Sequence, residues 1–384
     1  MKIGIFCDSF YPENKAIAIR LYHFAEELAK VSDVTVHTST RATVHKSLPY
    51  RVKYNVLPAP SNESSNLVRL IAELMLGMEM FIRILFCRYD AIVITSPPFF
   101  AALFGTLASR LGGIPYVFDV RDEYPEVFFT AGVVKEKSLF GKILLRAERM
   151  VYQHALMVLT VTEGICQRID AKSGRQGRAT LVRNGFDREL FVPAAQKESR
   201  FTVVFHGNLG KFQDPELIIH VARRVYERDQ NICFKVIGFG NNDEAIRANQ
   251  QPNVEFVGQV PYHDIPKVIA SAHLGISFRS DDIISYNSFP VKLYEYIGIG
   301  IPVIVTPVSE AGHFFETFGI GFQFGNAQVE EISSQIVELA QDNVKYEGIS
   351  NRIADIRERF SRQGISREFA SQFLEALKTA KRNG

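Results

Sequence analysis

Between Ser285 and Val305 the sequence reads SYNSFPVKLYEYIGIGIPVIV, and Lys292 and Glu295 within it have types and a spacing suited to a charged, hydroxyl-rich ligand. Pro290 fits the first turn of a helix, where its missing N–H costs nothing. Val291 and Lys292 then carry amides with no intrahelical acceptor, at the positive end of the helix dipole. Such an end invites a phosphate. Lys292 adds a full charge to the same anion, and Glu295, one turn later on the same face, is able to accept two hydrogen bonds from a sugar diol. An ordinary surface helix with an exposed Lys and Glu meets the same spacing, and both readings stay open.

Two further stretches place polar residues after a strand. FTVVFH (201–206) runs into GNLGKFQDPE, where Gly207 and Gly210 let the backbone approach a ligand, Asn208 lies between them and Lys211 supplies a charge. Asp214 and Pro215 cap and start the helix that follows. In the first half YVFDV (116–120) leads into Arg121, Asp122 and Glu123, charged groups at a strand end where doubly wound folds bind ligands. The alternatives are a structural glycine turn in the one case and a solvated charged turn in the other.

The elements that must hold these residues alternate along the chain. Strand-like runs KIGIFC (2–7), VTVHT (34–38), AIVITS (91–96), YVFDV, MVLTVT (157–162) and TLVRN (180–184) are separated by helix-length segments. A second series follows with FTVVFH, CFKVIGFG (233–240), VEFVGQV (254–260), LGISF (274–278) and PVIVTP (302–307). Such alternation predicts parallel sheets with crossover helices, an α/β class of two Rossmann-like domains in tandem. At 384 residues the chain exceeds the roughly 250–300 at which one core stops growing. The expected domains are residues 1–190 and 191–384, with a joint near 186–200 and a last helix that can cross back to the first.

Charge narrows the function. A net charge of +2 argues against a nucleic-acid partner. Through Leu190, 24 Lys+Arg stand against 19 Asp+Glu, leaving 20 against 23 beyond it, so the first half is the basic one. Four scattered cysteines without metal spacing read as buried thiols of a cytoplasmic protein, and MKIGIFCDSF reads as a first strand rather than a signal peptide. One helix, LVRLIAELMLGMEMFIRILF (67–86), nearly has the length of a membrane span, but Arg69, Glu73, Glu79 and Arg83 fall on one stripe roughly 120° wide. Either it packs against the first sheet or it rests on a membrane surface.

The stretch from Asn287 to Val305, NSFPVKLYEYIGIGIPVIV, resembles the motif of the retaining glycosyltransferases of family 4, which have the GT-B fold. In that motif two glutamates are separated by seven residues; the second matches Glu295 and the first is replaced by Asn287. RNGFDRELF (183–191), VEFVGQVPYHDIPKVIASAHLGISF, FCDSFYPENKAIAIRLYHFAEELA and FDVRDEYPE are similar to further family segments in the expected order. The resemblance implies a donor site formed by Gly207, Asn208, Val260, Asn287, Ser288, Phe289, Val291 and Glu295, with Glu295 on the ribose and Val260 near the base. It implies that Lys292, Lys211, Arg121 and Asp122 serve catalysis and that the donor lies between the domains, with residues 1–190 binding the acceptor and 191–384 the nucleotide sugar. The family's glycine pair after the first strand is replaced near Lys15 and Ala16, its histidine by Arg121, and its phosphate-loop arginine by Asn208.

The implied reaction moves a sugar from a nucleoside diphosphate, with UDP the first expectation, to a glycan or lipid-linked acceptor of the cell envelope, keeping the anomeric configuration. Similar enzymes use front-face attack, in which the leaving phosphate takes the acceptor's proton. No Asp-x-Asp motif occurs, so neither a metal nor another cofactor is expected. A nucleotide-sugar epimerase and a non-catalytic nucleotide-sugar-binding protein are the alternatives. The expected location is the cytoplasm, with peripheral contact at the inner membrane.

Overall fold

The computed structural model describes residues 1–13, 15–41, 47–57, 66–122, 124–130, 132–240, 242–249 and 251–383. The chain divides into two units. The first runs to Arg183 and takes back the chain from Ile365 onward, and the second spans Asn184–Gly364. The division precedes the expected joint because Phe186, in the stretch assigned to the first domain, is fully buried in the second unit's core together with Phe191.

The first unit is built on β1 (Lys2–Phe6), α1 (Ala16–Ala29), β2 (Asp33–Thr38), β3 (Arg51–Tyr54), α2 (Asn66–Phe86), β4 (Ala91–Ser96), α3 (Phe99–Leu111), β5 (Tyr116–Val120), α4 (Glu126–Thr130), α5 (Leu139–His154), β6 (Met157–Thr160), α6 (Glu163–Ser173) and β7 (Ala179–Leu181). Its seven strands lie in the order β3-β2-β1-β4-β5-β6-β7, and their pairings are parallel. Continuous apolar runs such as AIVITS, buried at every position, are what a sheet covered on both faces requires. One face packs α2, α3, α5 and α6 over Ile92, Ile94, Phe118 and Val158. The other packs α1 and the last helix, whose Phe369, Phe373 and Leu377 close the core.

The second unit continues with β8 (Thr202–Asn208), α7 (Pro215–Arg228), β9 (Cys233–Phe239), α8 (Asp243–Ala248), β10 (Val254–Gly258), α9 (Ile265–Ile269), β11 (Leu274–Phe278), α10 (Ile283–Tyr286), α11 (Val291–Ile299), β12 (Val303–Thr306), α12 (Glu310–Thr317), β13 (Gly321–Gln323), α13 (Val329–Gln341), α14 (Asn343–Ile356) and α15 (Arg362–Asn383). Its six parallel strands are ordered β10-β9-β8-β11-β12-β13. The order reverses between β8 and β11, and in such sheets ligands bind beyond the carboxyl ends of the strands at that switch point. Two strands, β3 and β13, were not expected. The first is a mostly exposed edge strand and the second is three residues long, so neither carries an apolar run.

The 67–86 segment forms α2, and the structure turns its charges the opposite way from a solvated stripe. Glu73 is buried, paired with Arg69 and facing the Phe100 amide, while Glu79 accepts from the amides of Val56 and Leu57 and pairs with Arg83. Leu76, Met80 and Ile84 face the sheet, and Ile71, Met75, Met78 and Ile82 face outward. Among the described residues no helix is long and apolar enough to cross a membrane.

A buried ion pair ties the first unit together. Arg20 of α1 meets Asp119 of β5 at 2.9 Å, and its other nitrogen donates to the carbonyls of Val182 (2.8 Å) and Arg183 (3.0 Å) just beyond β7. Both side chains are sealed from water, so removing one partner leaves an uncompensated charge. Arg20→Met should lower the stability of the first unit by about 3–5 kcal/mol, read as a shift of its transition in chemical denaturation. A shift under ~1 kcal/mol would show that Asp119 finds other solvation.

Candidate functional site

The second unit gathers its polar residues at the switch point. At the end of β8 the chain turns through Gly207, whose φ of +123° belongs to glycine, and a Cβ there would stand 3.3 Å from Nζ of Lys292. The missing side chain therefore makes room for a cation as well as a turn. Beyond it Asn208 and Lys211 are exposed, and Asp214 caps α7 by accepting from the Leu217 amide at 3.0 Å, with Pro215 in the first turn as expected. The loop is stitched to the end of β11: Asp214 donates its amide to Phe278, Ser280 to Phe212, and Gln213 bridges Arg279.

That stitching brings Gln213 to Lys292, whose Nζ donates to its Oε1 at 3.3 Å and lies 3.7 Å from the centroid of the Phe205 ring. Lys292 is thus no exposed surface residue. Burial, then the charge of Arg279, pulls its pKa down to about 7, against the opposing pull of Glu295. Arg279 is itself lowered by burial, while Asp282 opposes, and its Nε donates to Ser285 at 3.3 Å. Two cations therefore meet at the start of α11, where Pro290 occupies the cap position and no side chain caps the helix. Val291 begins α11 there, and Gly300, at φ +77°, ends it. Two cations and helix amides are what a diphosphate needs.

Glu295 lies one turn deeper and is only 3% exposed. Tyr262 donates to its Oε1 at 3.2 Å, Arg362 lies 4.0 Å from the same oxygen, and Nε2 of His206 stands 3.2 Å from Oε2. Burial raises the Glu295 carboxyl, and Arg362, Tyr262 and Lys292 oppose it. Burial and then the Lys292 charge lower His206 to about 3, so the imidazole is neutral, and its buried Nε2 has no hydrogen-bond partner. A buried polar atom left without a partner is costly, and a ligand hydroxyl beside Glu295 would satisfy it. Val260 is half-buried two residues before Tyr262, in the loop after β10.

The remaining expected residues shape the turn. Asn287 ends α10 and donates its side-chain amide to the Ile283 carbonyl at 2.9 Å, and Ser288 donates to Ser285 at 3.2 Å. Phe289 is buried and stacks on Tyr294 with ring centroids 4.4 Å apart, so its side chain belongs to the core. Arg279, Gln213, His206, Tyr262 and Arg362 escaped the sequence reading. Arg279 follows the strand LGISF directly, and a charge at that position was a usable signal; Arg362 enters from far along the chain with none.

In the first unit Arg121 and Asp122 follow β5 at the carboxyl edge of its sheet. The Arg121 Nε is buried without a hydrogen-bond partner, and burial lowers its pKa while Asp122 and Asp119 oppose. Asp122 is exposed and lines a pocket with Phe99, Phe118, Tyr124, Glu148 and Tyr152. Burial raises Glu148 to about 7 against the pull of Lys172. Glu123 lies outside the described residues. Lys15, in the place of the family's glycine pair, precedes α1 and donates to Ser9 at 3.1 Å.

Comparison with known proteins agrees with this arrangement. Residues 16–185 match the family model described as glycosyl transferase 4-like domain, and residues 187–364 match glycosyl transferases group 1. The chain belongs to the group 1 glycosyltransferases. Its two Rossmann-like units are those of the GT-B fold. No curated protein matches this transferase in sequence. Among solved structures, HepE of Anabaena in complex with UDP is similar at a TM-score of 0.71 and 16% identity, with 98% of this chain and 100% of that one covered. Sucrose-phosphate synthase of Thermosynechococcus elongatus gives 0.69 and 13%, covering 98% and 99%. WaaG, a glycosyltransferase involved in lipopolysaccharide biosynthesis, gives 0.66 and 12%, covering 96% and 98%.

The depressed Lys292 pKa makes a prediction for the unliganded transferase. In the unfolded chain the amine titrates near its ordinary value of 10.5 and in the folded chain near 7, so the cost of burying the charge is full below pH 7 and fades as pH rises toward 10.5. Lys292→Met should therefore stabilise the protein more at pH 6 than at pH 10 in parallel denaturant titrations. An equal effect at both would mean that the ammonium is solvated.

Proposed function

We propose that this transferase moves a hexosyl or N-acetylhexosaminyl group from a nucleoside diphosphate sugar, a UDP-sugar first, to a glycan or lipid-linked acceptor in cell-envelope polysaccharide or lipopolysaccharide synthesis, with retention at the anomeric carbon. The observation that carries this reading is the pair of desolvated cations, Lys292 and Arg279, at the uncapped start of α11. A solved neighbour bound to UDP and another bound to UDP-glucose support the donor class, and the likeness to WaaG supports the pathway.

In this reading the diphosphate sits against the Val291 and Lys292 amides, with Lys292 and Arg279 on its oxygens and exposed Lys211 drawing it in. Glu295 and the unpartnered His206 Nε2 take the ribose hydroxyls, and Val260 borders the base. An arriving diphosphate raises the Lys292 pKa, so the lysine is charged when the leaving group forms. As the glycosidic bond breaks, negative charge grows on the diphosphate, where fixed donors stabilise it without reorganisation. The leaving phosphate oxygen then takes the acceptor's proton from the same face as the attack. Asp122 and Arg121, at the carboxyl edge of the first sheet, orient the acceptor. The protein's own cations neutralise the diphosphate, so no divalent ion is needed. The enzyme works in the cytoplasm, peripheral to the inner membrane.

A panel of uridine, guanosine and deoxythymidine diphosphate sugars tests the reading: transfer or slow hydrolysis of a UDP-sugar is expected, whereas sugar epimerisation or binding without turnover would overturn it. Two variants probe the site. Glu295→Gln should weaken UDP binding by about 10- to 100-fold, because charge-assisted bonds contribute about 1.5–3 kcal/mol; an unchanged Kd in calorimetry removes Glu295 from the ribose. Lys292→Ala should lower kcat by on the order of 10²- to 10³-fold at saturating substrates, more than it weakens donor binding. A kcat within about twofold of the parent would return Lys292 to a structural role.

A further inference from the structure

The helices α2, α3 and α5 cover one face of the first sheet, and their outer sides are apolar. Ile71, Leu74, Met75, Met78, Ile82 and Phe86 form a stripe along α2, with Phe86 79% exposed. Leu107 and Leu111 extend it on α3, and Leu139, Phe140 and Ile143 do so at the start of α5, where Leu139 is 78% exposed. Such a concentration of exposed apolar side chains on one layer marks an interaction surface.

Charge selects the partner. The three helices carry three carboxylates among their described side chains, and all are withdrawn: Glu73 beside Arg69, Glu79 on the Val56 and Leu57 amides beside Arg83, and Glu148 on Lys172 and Tyr152. Arg110, Lys142, Arg146 and Arg149 are exposed. Glu136, exposed just before α5, stands between Lys135 and Lys137. The surface is therefore apolar with a cationic border. A two-fold contact with a second copy would set these cations against themselves. An anionic bilayer takes both features, apolar side chains entering the headgroup boundary and cations meeting lipid phosphates.

We propose that the outer sides of α2, α3 and α5 form the docking surface of this protein for membranes containing anionic phospholipid. The inference sharpens the peripheral location proposed above and does not depend on the sugar chemistry. Both features act together: the cations bring the protein to the surface, and the apolar stripe holds it there once salt screens the charge.

Flotation of the full chain with phosphatidylcholine vesicles, with and without phosphatidylglycerol, tests it. The protein should float with the phosphatidylglycerol vesicles alone, and less as salt is raised. Ile71→Glu/Met78→Glu should abolish flotation, and Lys142→Glu/Arg146→Glu should weaken it at least tenfold. Val344→Glu, at an exposed position of the second unit, should leave it unchanged. All variants should bind UDP as the parent does, so loss of UDP binding by the parent would count against the transferase reading and leave the surface untouched. Flotation that survives the α2 and α5 variants, equal binding to both vesicles, or a concentration-dependent dimer in sedimentation without lipid binding would overturn the proposal.

Discussion

A lysine ammonium held against an aromatic ring and half-withdrawn from water is an unfinished arrangement, and much of the second unit is organised around it. Lys292 has the face of Phe205 on one side and the single neutral oxygen of Gln213 on another, which falls short of compensating a desolvated charge. The room it occupies exists because Gly207 has no side chain. Gln213 is in reach because its backbone pairs with Arg279, and the same loop ends in the Asp214 cap that starts α7. Strand end, loop and helix start thus converge on one cation whose natural complement is an anion from outside. Arg279 sharpens the demand by repelling the lysine.

The first unit treats charge in the opposite sense. Four of its carboxylates are drawn inside and paired: Asp119 with Arg20, Glu148 with Lys172, Glu73 and Glu79 with arginines one turn along α2. Each pairing consumes a cation, yet the basic excess counted through Leu190 leaves others outside. Four such pairs remove four from each side of the count and leave the excess of five unchanged, and on α2, α3 and α5 it surfaces as exposed Arg110, Lys142, Arg146 and Arg149 with no exposed acid among the described side chains.

The periodicity of the sequence disclosed the strands that are buried on both faces, and LGISF, AIVITS and YVFDV fall where the structure has them to the residue. It missed β3 and β13, where exposure or brevity removes the apolar signal. The residues of α11 were legible as types and spacing, but burial was not, because the same Lys-x-x-Glu suits a solvated helix and a sealed one. Phe289 shows the reverse failure: it sits inside a binding motif and packs in the core. For α2 the stripe of charges was legible and its direction stayed open, since a wheel projection gives the angle between residues and not which side meets the protein. Arg362 and His206 reach Glu295 through tertiary packing, which no local pattern encodes.

The last helix has a consequence for how the molecule is made. Phe369, Phe373 and Leu377 complete the core of the first unit, although the whole of Asn184–Gly364 is translated before them. At about 5–20 residues per second the ribosome spends roughly 10–35 s on that interval. Throughout it the first sheet waits with the α15 side of its core uncovered, while the second unit is free to fold as it emerges. Nascent chains of this protein therefore expose the apolar seat of α15 for longer than the order of domains along the gene would suggest, which makes that seat the natural place for a chaperone to act.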